Sequence, residues 1–343
     1  MLRWCAALSA LMVGATFAVI PSAHAQGSGR VRALVVTGVA GEPQLAATFH
    51  KQAVALIDAL TSRFGVPAAD IVYLAESAEG GASRIKGVST KENIVRELTA
   101  LGERSKTGDV LFIMLIGHGS GDDAAARFNV PGPDISAADF ARVLDGIGGP
   151  TIAVVNAASA SGGFVATLSG PNRVIATATK SGMERNQTRF ANYFIQAYVG
   201  DVADADKDGR VSVLEAYEYA RREVARAYEQ ENRLLTEHAQ LDDNGDKKGT
   251  AAPDTRSADG ALARRVFLGG RAGSVAAAAR AASSDPRVAS LEREKDALEA
   301  RIDSLRRRKA SMDSTAYEKS LEDLLVQLAE KNKAIRDAAG GRP

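Results

Sequence analysis

A histidine flanked by two glycines closes one apolar run of this sequence. Val110 to Ile116 (VLFIMLI) leads directly into Gly117-His118-Gly119-Ser120. A glycine on each side exposes the imidazole, which can then serve as general base for a nucleophile on a neighbouring strand. The next apolar run, Thr151 to Gly163 (TIAVVNAASASGG), starts with β-branched residues. It ends in small ones: Ala157, Ala158, Ser159, Ala160, Ser161, Gly162 and Gly163. Small residues at the carboxyl end of a buried strand let substrate or backbone approach closely, and ligands bind at that end of open α/β sheets. A cysteine nucleophile would suit this turn, but the one cysteine of the chain is Cys5.

A second group of residues has metal chemistry. Asp204-Ala-Asp206-Lys-Asp208-Gly209-Arg210-Val-Ser212-Val-Leu-Glu215 fills the calcium-loop pattern Asp-x-Asp-x-Asp-Gly with Glu at the twelfth position. Ca²⁺ takes six to eight hard oxygens. Asp204, Asp206 and Asp208 offer carboxylates, Arg210 its backbone carbonyl, Ser212 a direct or water-mediated oxygen, and Glu215 two oxygens. Gly209 permits the sharp turn. Asp242-Asp-Asn244-Gly-Asp246 is acidic too, but lacks the glycine position and the distal Glu.

The elements that must position these groups alternate. Val31 to Thr37, Ile71 to Leu74, Val110 to Ile116, the Thr151 stretch and Val174 to Ala178 read as buried strands. Between or after them, apolar residues recur at helical spacing over Leu45 to Phe64, over Thr90 to Leu101, after Ser136 and over Phe190 to Val199. Thr90 and Ser136 are natural N-caps. The alternation predicts an α/β fold, a doubly wound, mostly parallel sheet with helices on both faces. The strands ending at His118 and near Ser159 are separated by one helix, which places their carboxyl ends side by side. The loops Glu76 to Gly87, Gly121 to Pro133 and Thr179 to Thr188 read as irregular.

Past residue 200 the alternation stops. Val213 to Leu235 reads as a long helix leaving the calcium loop, and the Phe190 helix as the one entering it. Leu241 to Leu262 reads as a polar surface segment or partial linker. From Pro286 onward the chain is charged and helical in two pieces, one seamed by Leu291, Leu298, Ile302 and Leu305, the other by Leu321, Leu324, Leu328 and Ile335. This predicts an antiparallel helical hairpin or a dimerising arm. The expected organisation is 1–25 signal peptide, 26–200 α/β domain, 201–240 calcium loop and long helix, 241–285 polar segment, and 286–338 helical hairpin.

The N-terminus carries Arg3, an apolar run from Leu8 to Ile20 and a small-x-small site at Ala23-His24-Ala25. That is the pattern of a cleaved secretion signal, so the product is expected to be exported, periplasmic or secreted, with no membrane span in the mature chain. Without Cys5 the mature chain has no thiol for a disulfide, a zinc site or a nucleophile. A net charge of +1 gives no field for a polyanion, and 5% aromatics give no stacking platform, so no nucleic-acid partner is expected.

Strand-His-Gly, then a helix, then strand-Ala-Cys-x-Ser-Gly is the pattern of the legumain-like and caspase-like cysteine peptidases. LFIMLIGHGS places His118 on the catalytic histidine of that family. Ala158-Ser159-Ala160-Ser161-Gly162 resembles legumain's Ala-Cys-Glu-Ser-Gly and places Ser159 at the nucleophile. VVTGVAG resembles the opening legumain strand, with Ala40 where an asparagine would orient the histidine, and NRVIATATKSGMERN resembles the family's strand and specificity loop. The resemblance spans Val31 to Val199. It implies a caspase/legumain-like fold whose catalytic pair is now His118 and Ser159. A hydroxyl needs an oriented base and an oxyanion hole, where a thiolate needs less help. Three function classes follow. One is a degenerate peptidase homologue that binds a peptide or protein partner through its cleft or hairpin, the second a serine-based hydrolase, and the third a structural calcium protein.

Overall fold

The computed structural model describes residues 29–78, 84–200, 202–206, 210–253, 258–269 and 313–338, together with scattered positions between 290 and 305. The expected signal peptide lies outside the described residues, as do Asp208 and Gly209 of the expected calcium loop and all of 270–289.

Strand β1 (Val31–Thr37) is buried along its whole length. Helix α1 (Pro43–Asp58) starts with a proline in its first turn and runs into a π-helical turn at Ala59–Arg63. Next come β2 (Ile71–Ala75), the short β3 (Gly87–Val88) and α2 (Lys91–Glu103). The Thr90 hydroxyl caps α2 by accepting the Asn93 amide. Strand β4 (Val110–Ile116) is followed by three two-residue strands, β5 (Gly119–Ser120), β6 (Arg127–Phe128) and β7 (Ile135–Ser136). Helix α3 (Ala137–Asp145) opens with a full capping box between Ser136 and Asp139. Then follow β8 (Thr151–Asn156), α4 (Gly163–Leu168), β9 (Arg173–Thr177), α5 (Phe190–Val199), α6 (Val213–Gln230), β10 (Gln240–Asp242) and α7 (Ser314–Ala338).

The main sheet has seven strands in the order β10-β9-β8-β4-β1-β2-β3. All pairs are parallel except β10 on β9. Side chains alternate across the strands with period two, and both faces are covered. Ala33, Val35, Phe112, Met114 and Ile116 face α1, α5 and α6. Leu34, Val36, Leu111, Ile113 and Leu115 face α2, α3 and α4. The chain winds outward from β1 to β3 and then restarts at β4 on the other side of β1. That reversal puts a crevice at the carboxyl ends of the central strands, where such sheets take ligands.

Two expectations need correction. The segment expected to be a polar surface stretch enters the sheet as β10, where Leu241 is fully buried, and Thr250 bridges back to Leu241. Ala263, Val266 and Leu268 join the same core as α5 and α6. The acidic run Asp242–Asp246 serves this packing: Asp243 accepts the amides of Gly260, Leu262 and Ala263, and Asp242 that of Gly245. The loop Gly121–Pro133 is also more regular than expected, because β5, β6 and β7 form a small antiparallel sheet. Further along, Leu298, Ile302 and Leu305 pack against Tyr317 and Leu324 of α7. Among the described residues no helix is long and apolar enough to cross a membrane.

Candidate active site and candidate metal loop

Strands β4 and β8 pair in register from Val110–Thr151 to Leu115–Asn156. His118 and Ser159 therefore each lie three residues beyond the last paired position, at the same level of the sheet. The two ends touch. The Ser159 hydroxyl accepts the Gly119 amide at 3.4 Å, and the Ala157 amide donates to the Leu115 carbonyl at 2.9 Å. Glycine at 119 is required by this approach, since a Cβ there would sit 2.3 Å from the Ser159 carbonyl oxygen.

The two sequence-derived residues differ in access. His118 is half-buried, with its ring edge-on to Phe49 at 5.8 Å between centroids. Among the described residues its ring nitrogens have no hydrogen-bond partner. Ala40 is buried near the end of β1 and donates its amide to Glu76 at 3.1 Å, so this position holds the loop rather than the histidine. Ser159 is 2% exposed. The residue after it, Ala160, has a left-handed backbone (φ 50°) and donates its amide to the Glu184 carbonyl at 2.8 Å. Ser161 is tied to Thr179 through both its amide and its hydroxyl.

The loop that the resemblance assigns to specificity also meets this turn. The loop 179–189 holds the Ser159 turn from one side: Glu184 through Ala160, and the Thr188 hydroxyl through the Ala157 carbonyl. A strap, residues 231–240, holds that loop in turn. Glu231 pairs with Arg189, Thr236 accepts from the Asn186 amide group, and His238 bonds Glu184 with both its amide and Nδ1. Gln240 donates to the Gly162 and Lys180 carbonyls. Glu237 is 3% exposed and accepts the Arg189 amide at 2.7 Å, capping α5. Its other oxygen is buried without a partner. Burial pushes the Glu237 carboxyl up to about 7, against the pull of the amides of Arg189 and Phe190.

The described part of the candidate metal loop brings three carboxylates together. Asp204, Asp206 and Glu215 each offer a carboxylate oxygen within 4.8 Å of the others. Glu215 accepts the amides of Ala205 and Asp206 on one oxygen and the Ser212 amide and hydroxyl on the other. Ser212 thereby caps α6, and its side chain is committed to that cap. The Arg210 guanidinium lies 3.8 Å over the Phe267 ring, and Ser212 bridges to Phe267, so the outgoing end of the loop is pinned to the core. The donor set is all hard oxygen, which fits Ca²⁺ and disfavours softer ions.

No family profile matches the sequence. No curated protein matches it either. Solved structures do. Protein GSU0716 from Geobacter sulfurreducens is similar at 10% identity and a TM-score of 0.42, over 66% of this chain and 95% of that one. The structure of drICE is similar at 12% identity and a TM-score of 0.35, over 60% and 86%. The Drosophila initiator caspase Dronc is similar at 10% identity and a TM-score of 0.37, over 64% and 82%.

Proposed function

We propose that this is an exported, calcium-binding protein whose legumain/caspase-like domain has become a degenerate peptidase that binds a peptide or protein partner. One observation carries the reading. Ser159, at the position the resemblance assigns to the nucleophile, is 2% exposed, and its hydroxyl is engaged by the Gly119 amide. An attacking oxygen must come within about 3–3.5 Å of a substrate carbonyl, which a covered hydroxyl does not reach. A serine mechanism also needs an oriented base, and the asparagine position holds Ala40. Calcium is supported by the filled twelve-residue pattern and the grouping of Asp204, Asp206 and Glu215. Asp208, Arg210 and Ser212 complete the set in sequence, with Ser212 acting through water since its hydroxyl caps α6. Bound there, the ion would stabilise the folded chain by mass action. Export rests on the N-terminal pattern.

A serine-reactive fluorophosphonate probe tests the reading. No labelling is expected. Labelling abolished by Ser159→Ala would establish a working serine hydrolase and overturn the degenerate site. Ser159→Cys, assayed for Asn- or Asp-directed cleavage, shows whether the thiol alone is missing; the burial of this position predicts that the variant stays inactive.

A further inference from the structure

Helix α7 carries more apolar surface than the described residues of the chain cover. Tyr317 and Leu324, flanked by Leu321 and Leu328, form one stripe, which Leu298, Ile302 and Leu305 fill. Leu325 and Val326 lie beside it, 44% and 52% exposed. With Leu321 and Ala329 they line an open groove rimmed by Glu318 and Glu322. A helix that served one neighbour would need only the stripe 317/321/324/328. Apolar residues at the adjoining positions widen the stripe to that of a helix packed between two neighbours.

Charge identifies the second neighbour. The first half of α7 is net negative, with Glu318, Glu322 and Asp323 against Lys319. The second half is net positive, with Lys331, Lys333 and Arg336 against Glu330 and Asp337. Lys331 already pairs with Glu294, while Lys333 is exposed.

We propose that the groove is filled by α7 of a second copy of this chain, running antiparallel. A two-fold axis between Gln327 and Leu328 sets Val326 against Ala329 of the other copy and Glu322 against Lys333, each contact occurring twice. Alanine at 329 lets the two backbones approach. A parallel pair would instead set the acidic halves against each other. The outcome is a four-helix bundle made from two helical pairs, with the exposed apolar residues at its centre.

Sedimentation velocity on the full chain tests this. A dimer is expected at tens of micromolar. Leu325→Glu with Val326→Glu should give a monomer with an unchanged far-UV spectrum. Glu322→Lys alone and Lys333→Glu alone should each weaken the dimer about tenfold, and the two together should restore it. A monomeric wild-type chain overturns the proposal, as does a dimer indifferent to the double glutamate variant. A double charge reversal no tighter than either single one overturns the antiparallel arrangement. The charge variants lie on an exposed surface, so they report even where the glutamate pair disturbs folding.

Discussion

Replacing Glu237 by glutamine should stabilise the protein at alkaline pH and hardly at all near pH 5. The carboxyl sits under the strap, 3% exposed, with one oxygen on the Arg189 amide and the other unpartnered. The charged groups acting on it are Arg189 and Glu184 of the loop. Its pKa rises from 4.5 in the unfolded chain to about 7 in the folded one. The folded state therefore holds the proton longer, and stability falls as pH rises between those values. By linkage, the loss between pH 5 and pH 8 amounts to about 2.5 kcal/mol. Glutamine keeps the acceptor for the α5 cap and does not ionise, so the variant should escape this loss. Its amide nitrogen inherits the unpartnered place, at a roughly constant cost of about 1 kcal/mol. The variant should thus equal or slightly trail the wild type at pH 5 and exceed it by about 2 kcal/mol at pH 8. Urea denaturation of both proteins across that range measures it. Parallel stability curves would refute the reasoning, because the amide's cost does not vary with pH and only the carboxyl titrates.

Three further outcomes follow from the same geometry. Saturating calcium should raise the melting temperature, by the equivalent of about 2.7 kcal/mol at a hundredfold excess over Kd, and Asp206→Asn should abolish the shift; calorimetry with and without chelator reads both. Gly119→Ala should cost about 1–3 kcal/mol in denaturant titration, since its Cβ would collide with the Ser159 carbonyl; a neutral effect would mean the ends of β4 and β8 do not touch. Leu241→Ala should cost about 2–5 kcal/mol, as a buried strand residue does, whereas a surface linker would tolerate it.

The sheet was legible because its strands are buried on both faces. Val110–Ile116 holds no polar side chain and Val31–Thr37 only Arg32 and Thr37, so their ends coincide with the change in composition. Thr90 and Ser136 were legible as caps because capping is a local bond between neighbours in sequence. The two-residue strands β5 to β7 are too short to show any period, and α4 spans only six residues. Strand β10 was misread for a different reason. Its flanking aspartates look like solvated surface, yet Asp242 and Asp243 are 1% and 8% exposed because backbone amides satisfy them.

The candidate site divides along the same line. Sequence spacing put His118 and Ser159 at two strand ends, and the parallel register carries them to one level. Spacing says nothing of what covers a residue, and the cover over Ser159 comes from far along the chain. Gly119 lies 40 residues away, and the strap residue His238 lies 54 residues from the Glu184 it holds. Contacts of that separation have no local signature. They decide the chemistry nonetheless: the loop is held to the Ser159 turn through Ala160 and Ala157, and the strap holds the loop through Glu237 and His238. The turn that carries Ser159 is thus held by residues up to 54 positions away from the loop they hold, which no local pattern in the sequence displays.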